Sequence, residues 1–343
     1  MNWESAWDHA RIGVGIAAGY VRRNQKQIIS SSTGSDPNRG SNRWVVYANY
    51  SRQGRVFDYV LYALKALCDE GFRIIFVSNS TNFGASEVAT VQPWCAKIIH
   101  RRNVGYDFGA YKDGISSIDD FTAIENLILM NDSVYGPLFP ISDTIDRMSM
   151  RDVDIWGLTD SWQHDYHLQS YFLCFNRNVL VSSFFREFWR KIPLINYKKS
   201  VIRGLEIETS QMFLDNGYKL AAAFPYYALT DRFMGRFPLA IDPKTAPFEL
   251  ELAERLRTHF ATGSTVNPTH FFWEMLINDF RFPFIKGELI SKNPAAIYGI
   301  NRWYDKITKL TDYDPDMIMD HLKYSQRPRL FGNPPAKATV KLP

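Results

Sequence analysis

Four apolar residues, Leu127-Ile128-Leu129-Met130, run straight into Asn131-Asp132-Ser133 and then into a Gly136-Pro137 breaker. An apolar run this short, bounded by a turn signal, reads as a buried strand. Three polar side chains are thereby gathered at the carboxyl end of one strand. In open α/β sheets that edge forms the ligand crevice, because the loops leaving the strands diverge there. Asp132 is placed to hold a cation.

The same pattern recurs on either side. Trp44-Val45-Val46-Tyr47-Ala48 reads as a strand and is followed by Asn49, Tyr50 and Ser51; Phe72 to Val77 reads as another and is followed by Ser78, Asn79 and Ser80. Between them Val56 to Leu67 repeats apolar residues at helical spacing up to Gly71. Strand, helix and strand make a βαβ unit, and such crossovers generate parallel sheets. Ala96 to Ile99 is a third apolar run, ending at His100-Arg101-Arg102, and Asp154 to Leu158 is a further strand closing on Thr159, Asp160 and Ser161. His167 to Phe175 begins as strict alternation, which predicts a strand lining a pocket on one side. Val179 to Lys191 predicts an aromatic-rich helix stopped by Pro193, while residues 224–262 give weaker signals. The fold class expected is α/β, a mainly parallel sheet flanked by helices.

Residues 1–29 predict an N-terminal helix with Trp3, Trp7 and Ile12 roughly on one side and a basic end at Arg22, Arg23 and Lys26. Its Gly13-Val14-Gly15-Ile16-Ala17-Ala18-Gly19 is no dinucleotide fingerprint, because no strand precedes it and the spacing is one residue too long. A packing helix and a basic amphipathic segment on a membrane surface both remain open. Ser30 to Asn42, rich in Ser, Gly and Asn, reads as a linker. The expected organisation is an extension and linker over 1–42, a main domain over 43–290, and a C-terminal extension over 291–343 with a loose tail from Pro334.

A formal net charge of +4 with Lys and Arg scattered along the chain argues against nucleic acid as a partner, since phosphate tracking needs a clustered basic stripe. Cys68, Cys95 and Cys174 are odd in number and far apart, as expected of buried thiols in a reducing compartment. Ile12 to Val21 is about half of a membrane span. With Glu4 and Asp8 ahead of it and no cleavage pattern, a signal peptide is not expected either. The location expected is cytoplasmic, with peripheral contact at the inner face of the plasma membrane if the basic helix docks there.

Asn103-Val104-Gly105-Tyr106-Asp107-Phe108-Gly109-Ala110-Tyr111-Lys112-Asp113-Gly114 places glycines on both sides of an aspartate. That spacing lets backbone approach a flat ligand, and Asp107 can accept hydrogen bonds from a base or ribose; an ordinary strand-to-helix turn would look the same. Gly204 to Gln211 predicts the opening of a helix that ends near Asn216-Gly217-Tyr218. Glu206 and Glu208 in its first turn are electrostatically favourable in any protein, and spacing does not tell which one faces a substrate. His270, after Asn267-Pro268-Thr269 and before the helix Phe271 to Phe280, reads from its residues alone as a cap or packed ring.

Asn103 to Ala110, Leu129 to Pro137, and Asn267-Pro268-Thr269-His270 through Pro283-Phe284-Ile285-Lys286 together resemble the rhamnan synthesis protein F family, glycosyltransferases of bacterial surface polysaccharide assembly. The resemblance implies a GT-A-like, Rossmann-type nucleotide-sugar fold, dTDP-L-rhamnose as first-guess donor, and a lipid-linked or polymeric saccharide as acceptor. Asn49, Asn79, Asn103, Asp107 and Asp132 each follow or closely trail a strand and are expected to converge on one crevice at the carboxyl edge; the candidate donor-binding set is Asn49, Asn79, Asn103, Gly105, Asp107, Lys112, Asn131 and Ser133. Glu206 to Lys219 is similar to a broader GT-A pattern in which the acid opening a helix before a Gly-Tyr-Lys turn is the catalytic base. That puts Glu206 ahead of Glu208, with Asp160 next. A late histidine closes the metal site in many such enzymes, which implies His270 beside Asp132 on a divalent cation, Mn or Mg. Where many relatives carry two aspartates separated by one residue, this chain has Asn131-Asp132-Ser133, with a single carboxylate. Inverting transfer is the simpler chemistry, since one base suffices. The competing expectations are a catalytically silent sugar-binding or scaffold subunit and a sugar-phosphate transferase.

Overall fold

The computed structural model describes residues 3–236 and 247–325. Its strands are β1 Ile28–Thr33, β2 Arg43–Asn49, β3 Arg73–Ser78, β4 Cys95–Arg101, β5 Asn126–Asn131, β6 Val134–Tyr135, β7 Ile155–Ser161, β8 His167–Leu168, β9 Phe172–Asn176, β10 Leu220–Phe224 and β11 Ile285–Lys286. The main sheet runs β1-β4-β3-β2-β5-β9-β7-β10, with β8 on β7, and β6 pairs with β11 in a separate ribbon. β4, β3, β2, β5, β7 and β10 point the same way, while β1 and β9 oppose them. The α/β class read from the sequence is the class formed.

Alternation along β2 divides the interior in two. Val45 and Tyr47 face a core with Tyr59, Val60 and Ala63 of the helix Asp58–Asp69; Val46 and Ala48 face another with Phe108, Tyr111 and Ile115 of the helix Tyr106–Ile115. Period-two side chains covered on both faces explain why these strands are apolar almost throughout. The C-terminal helices Trp303–Leu310 and Asp316–Ser325 place Trp303, Ile307, Ile318 and Leu322 in the first core, so the described part of residues 291–325 packs on the main body. β2 connects onward to β3 on one side, and β5 lies on its other side. The connection order reverses between β2 and β5, and the carboxyl edge at such a reversal is where open α/β sheets bind their ligands.

Several expectations need correction. The stretch read as a linker from Ser30 begins as strand β1, whose side chains after Ile28 are exposed. It pairs with β4 through backbone alone, so no apolar pattern marks it. His167 to Phe175 is two short strands, β8 and β9, interrupted at Gln169-Ser170-Tyr171. Val179 to Lys191 is likewise two helices, Arg177–Leu180 and Ser183–Lys191, because the Ser182 hydroxyl accepts the Phe185 N–H and starts a new helix. Phe271 to Phe280 divides at Phe272 into Pro268–Phe271 and Trp273–Phe280. The N-terminal helix Trp3–Arg22 forms, but Trp7 is exposed while Ile12 is half-buried; the Trp3 side chain and the tail from Pro334 lie outside the described residues. Its inner side docks on residues 193–204, with the Ser200 hydroxyl donating to Ile12 O and Leu194 N to Gly19 O. The three cysteines are free, with Cys95 and Cys174 buried. Among the described residues no helix is long and apolar enough to cross a membrane.

Candidate functional site

β2 and β5 pair in parallel with Ala48 opposite Asn131, which sets Asn49 beside Asp132 just past the strand ends. One carboxylate oxygen of Asp132 accepts both the Asn49 side-chain amide and the Tyr50 backbone N–H, each at 2.8 Å. Burial pushes this carboxyl up to about 7; the hydrogen bonds from Tyr50 and Asn49 oppose the rise and the charge of Asp107 adds to it. The amide oxygen of Asn49 is buried without a hydrogen-bond partner.

Asp107 enters from the first turn of the helix Tyr106–Ile115. It accepts the Asn131 amide at 2.9 Å, while Asn131 Oδ1 takes the Ser133 N–H at 3.1 Å and hydroxyl at 2.5 Å. Burial raises the Asp107 carboxyl to about 6; Lys286 and the Asn131 hydrogen bond lower it, and Glu206 raises it. The chain turns into this helix through two left-handed residues, Gly105 at φ +87° and Tyr106 at φ +48°. For a bulky side chain such as Tyr106 that is a strained conformation, and the Asn79 amide fixes its carbonyl at 3.1 Å. A side chain at Gly105 would also meet Leu194 Cδ2 at 2.9 Å. Gly105 therefore serves the turn, donating its N–H to Asn196, rather than the ligand approach expected of it.

Other members of the expected donor set divide. Asn79 is buried and accepts Arg101 at 2.8 Å, so it braces the loops that follow β3 and β4. Arg101, fully buried, also donates to Asp113 and to Val104 O. Asn103 is exposed at the turn after β4. Lys112 is not a donor-site residue: its ammonium binds Arg23 O at 2.8 Å and Ile192 O at 3.2 Å. Five residues beyond Asp107 on a helix is roughly 140° around its axis, which turns Lys112 away toward the N-terminal helix.

Opposite these residues lies Glu206. The Tyr111 hydroxyl donates to Ser170 O at 3.0 Å, and Ser170 in turn gives Glu206 Oε1 its N–H at 2.8 Å and its hydroxyl at 3.0 Å. The expected helix opening at Gly204 is not found. Helix begins at Lys198–Val201, passes through a π-helical turn Ile202–Ile207, and continues as Glu208–Asp215. Glu206 is thus held by the β8–β9 loop and not by the amides of a helix start. Glu208 is exposed on the outer side, where it borders a groove of about 830 Å³ against the N-terminal helix. Asp160, inside β7, accepts the Tyr226 N–H at 2.6 Å at the start of the helix Tyr226–Arg236, and burial raises its carboxyl. That contact makes it a cap.

Lys286 is the residue that the sequence reading left without a role. β11 pairs antiparallel with β6, with Lys286 opposite Val134, which clips it beside Ser133, just after Asp132. Gly136 permits the approach: at φ +138°, a Cβ there would fall 2.3 Å from Pro283 O. The Lys286 ammonium donates to the Ser133 hydroxyl at 3.2 Å and lies 4.0 Å from the Tyr171 ring centroid. Burial pushes it down to about 8, against the upward pull of Glu206 and Asp107. Asp107, Asp132, Glu206 and Lys286 thus form one electrostatic cluster at the reversal point of the sheet. A short apolar run, Phe284-Ile285, ending in a lysine was the local signal for it.

The cation expectation meets a mixed donor set. Asp132 keeps one oxygen clear of its two N–H donors, and the unpartnered Asn49 oxygen is next to it; magnesium and manganese accept such oxygens and draw further ligands from phosphate and water. No group of three or more His, Cys, Asp or Glu able to hold a metal exists among the described residues. His270 is buried and pushed down to about 4 by burial and then by Lys286. It neighbours Lys286 electrostatically, and no described contact joins it to Asp132.

The family model for rhamnan synthesis protein F matches residues 74–246. The chain belongs to the rhamnan synthesis protein F family. The matched span holds Asp107, Asp132 and Glu206, while Asn49, His270 and Lys286 fall outside it. Among individual relatives of this family member, protein y4gN of Sinorhizobium fredii is 36% identical over 166 residues, covering 47% of this chain and 43% of y4gN. Virulence protein VirA of Vibrio anguillarum is 28% identical over 307 residues, covering 86% of this chain and 96% of VirA. The chain thus spans less than half the length of y4gN in that match and nearly all of VirA. Among solved structures, the glycosyltransferase GlyE of Streptococcus pneumoniae superposes with a TM-score of 0.39 at 11% identity, over 82% of this chain and 63% of GlyE.

Proposed function

We propose that this member of the rhamnan synthesis protein F family is an inverting glycosyltransferase, moving a sugar from a nucleotide-sugar donor to a lipid-linked or polymeric saccharide during surface polysaccharide synthesis. The observation that carries the reading is the meeting of Asp107, Asp132, Glu206 and Lys286 at the sheet's reversal point, where α/β folds bind nucleotides. The first donor to try is dTDP-L-rhamnose, on the strength of the family. Work at the inner face of the plasma membrane, from the cytoplasm, is part of the same proposal.

Asp107, in a helix's first turn near the β2–β5 edge, is assigned to the donor's ribose or base. Glu206, on the opposite side, is assigned as general base for the acceptor hydroxyl. Asp132 and the Asn49 amide oxygen would hold a divalent cation. When bound, such a cation neutralises diphosphate charge as a Lewis acid. Mass spectrometry of acceptor saccharides after incubation with a panel of nucleotide sugars tests the reading. The expected result is a mass gain of one hexose or deoxyhexose with one donor of the panel. Donor binding without transfer would favour the silent sugar-binding subunit, for which the lone carboxylate at Asn131-Asp132-Ser133 speaks.

A further inference from the structure

We propose that Lys286 binds the donor's diphosphate directly and holds its charge as the sugar leaves. The inference rests on the transferase reading above, and its first ground is what the ammonium does not do. A half-buried lysine set among acids normally forms an ion pair, because a charge partly withdrawn from water without a partner is costly. Lys286 feels both Glu206 and Asp107. Yet no salt bridge among the described residues includes it, and its hydrogen bond goes to the neutral Ser133 hydroxyl. An ammonium has three N–H donors, of which the Ser133 hydroxyl takes one.

The second ground is how firmly it is placed. The β6–β11 ribbon fixes its backbone, with Gly287 N donating to Ser133 O at 2.9 Å. The Tyr171 ring lies under its ammonium. From there a chain of hydrogen bonds runs through Ser133 and Asn131 to Asp107, so the ammonium and the donor-side carboxylate are positioned as a unit.

In the transfer, the acceptor oxygen forms a bond to the anomeric carbon, and the bond from that carbon to the diphosphate oxygen breaks with its electron pair. The hydroxyl proton passes to Glu206. Lys286 donates hydrogen bonds to the diphosphate and gives up no proton, so it counters negative charge that grows in the transition state.

The test is titration calorimetry of the full chain with dTDP, UDP and GDP, and with the matching nucleoside, in the presence of chelator. For the diphosphate that the wild type binds, Lys286→Met should weaken binding by about 10- to 100-fold, the range of a hydrogen bond to a charged group. Binding of the nucleoside should be unchanged, and Lys286→Arg should restore most of the diphosphate affinity. Should Lys286→Met fail to fold by circular dichroism, Lys286→Gln, which retains a donor for Ser133, carries the same comparison. Equal diphosphate binding by variant and wild type, or equal loss of nucleoside and diphosphate, overturns the proposal. A wild type that binds none of the three diphosphates, either with chelator or in a second titration with manganese supplied, removes the transferase reading itself, and this inference with it.

Discussion

Ser170 presents its backbone N–H and its hydroxyl to a single oxygen of Glu206, at 2.8 and 3.0 Å. The second oxygen has no hydrogen-bond partner among the described residues. Two donors on one side orient the carboxylate and leave the other oxygen for an acceptor hydroxyl. Glu206→Gln keeps the shape and the Ser170 contacts but removes proton acceptance, so turnover should fall by about 10² or more with diphosphate affinity nearly unchanged. Glu208, exposed on the far side, should tolerate the same change. Steady-state kinetics of both variants decide it, and an inactive Glu208→Gln beside an active Glu206→Gln reverses the assignment.

Cation dependence should follow Asp132 rather than His270. Asp132→Asn retains an oxygen for the Asn49 and Tyr50 donors while removing the charge, so the manganese or magnesium needed for half-maximal activity should rise by about tenfold or more. His270 answers electrostatically to Lys286, and His270→Ala should lower Tm while leaving the cation requirement within about twofold. A His270→Ala variant that folds normally but no longer responds to manganese would restore the imidazole as a ligand.

Stability should carry the mark of the raised carboxyls. Asp132 titrates at about 7 in the fold and near 3.9 when unfolded. Between these values the folded state binds the extra proton, so this group's contribution to stability declines as pH rises. Asp132→Asn should therefore gain stability relative to wild type as pH goes from about 4 to about 7, and the gap should level off above. Chemical denaturation of both proteins across that window reads the effect; a constant gap would mean that the carboxyl titrates normally.

Trp7, Val14 and Val21 recur at seven-residue spacing on the outer face of the helix Trp3–Arg22, all largely exposed, ahead of Arg22, Arg23 and Lys26. Apolar side chains beside a basic end suit an anionic bilayer. Replacing the three by Ser should reduce co-sedimentation with phosphatidylglycerol vesicles severalfold at unchanged Tm, since none of them packs in the interior. Unchanged sedimentation would leave this helix its inner contacts with residues 193–204 as its role.

Much of the sheet was legible in the residues, because β2, β3, β4, β5 and β7 are apolar runs closed by polar residues, and burial on both faces demands that pattern. β1 was illegible for the opposite reason: an exposed edge strand held by backbone pairing needs no apolar residue after Ile28. Asp107 and Asp132 could be read from their place after strands. Lys112 was misread because proximity in a motif says nothing of helical phase. Glu206 was identified with the wrong support, since an internal π-helical turn and a serine from another loop leave no local pattern. Lys286 needed a partner 153 residues away, beyond the range of any periodicity argument.

That long return sets an order of events during synthesis. The ribbon of β6 and β11 joins Ser133 to Gly287, so the ribosome must deliver everything between them before the ammonium can reach its hydroxyl. Closing so distant a pair is slow compared with local folding. A nascent chain stopped short of Pro283 could already have zipped β2, β3, β4 and β5 together and would still lack the cluster's lysine. Competence therefore arrives late, only once the residues beyond Pro283 have been made.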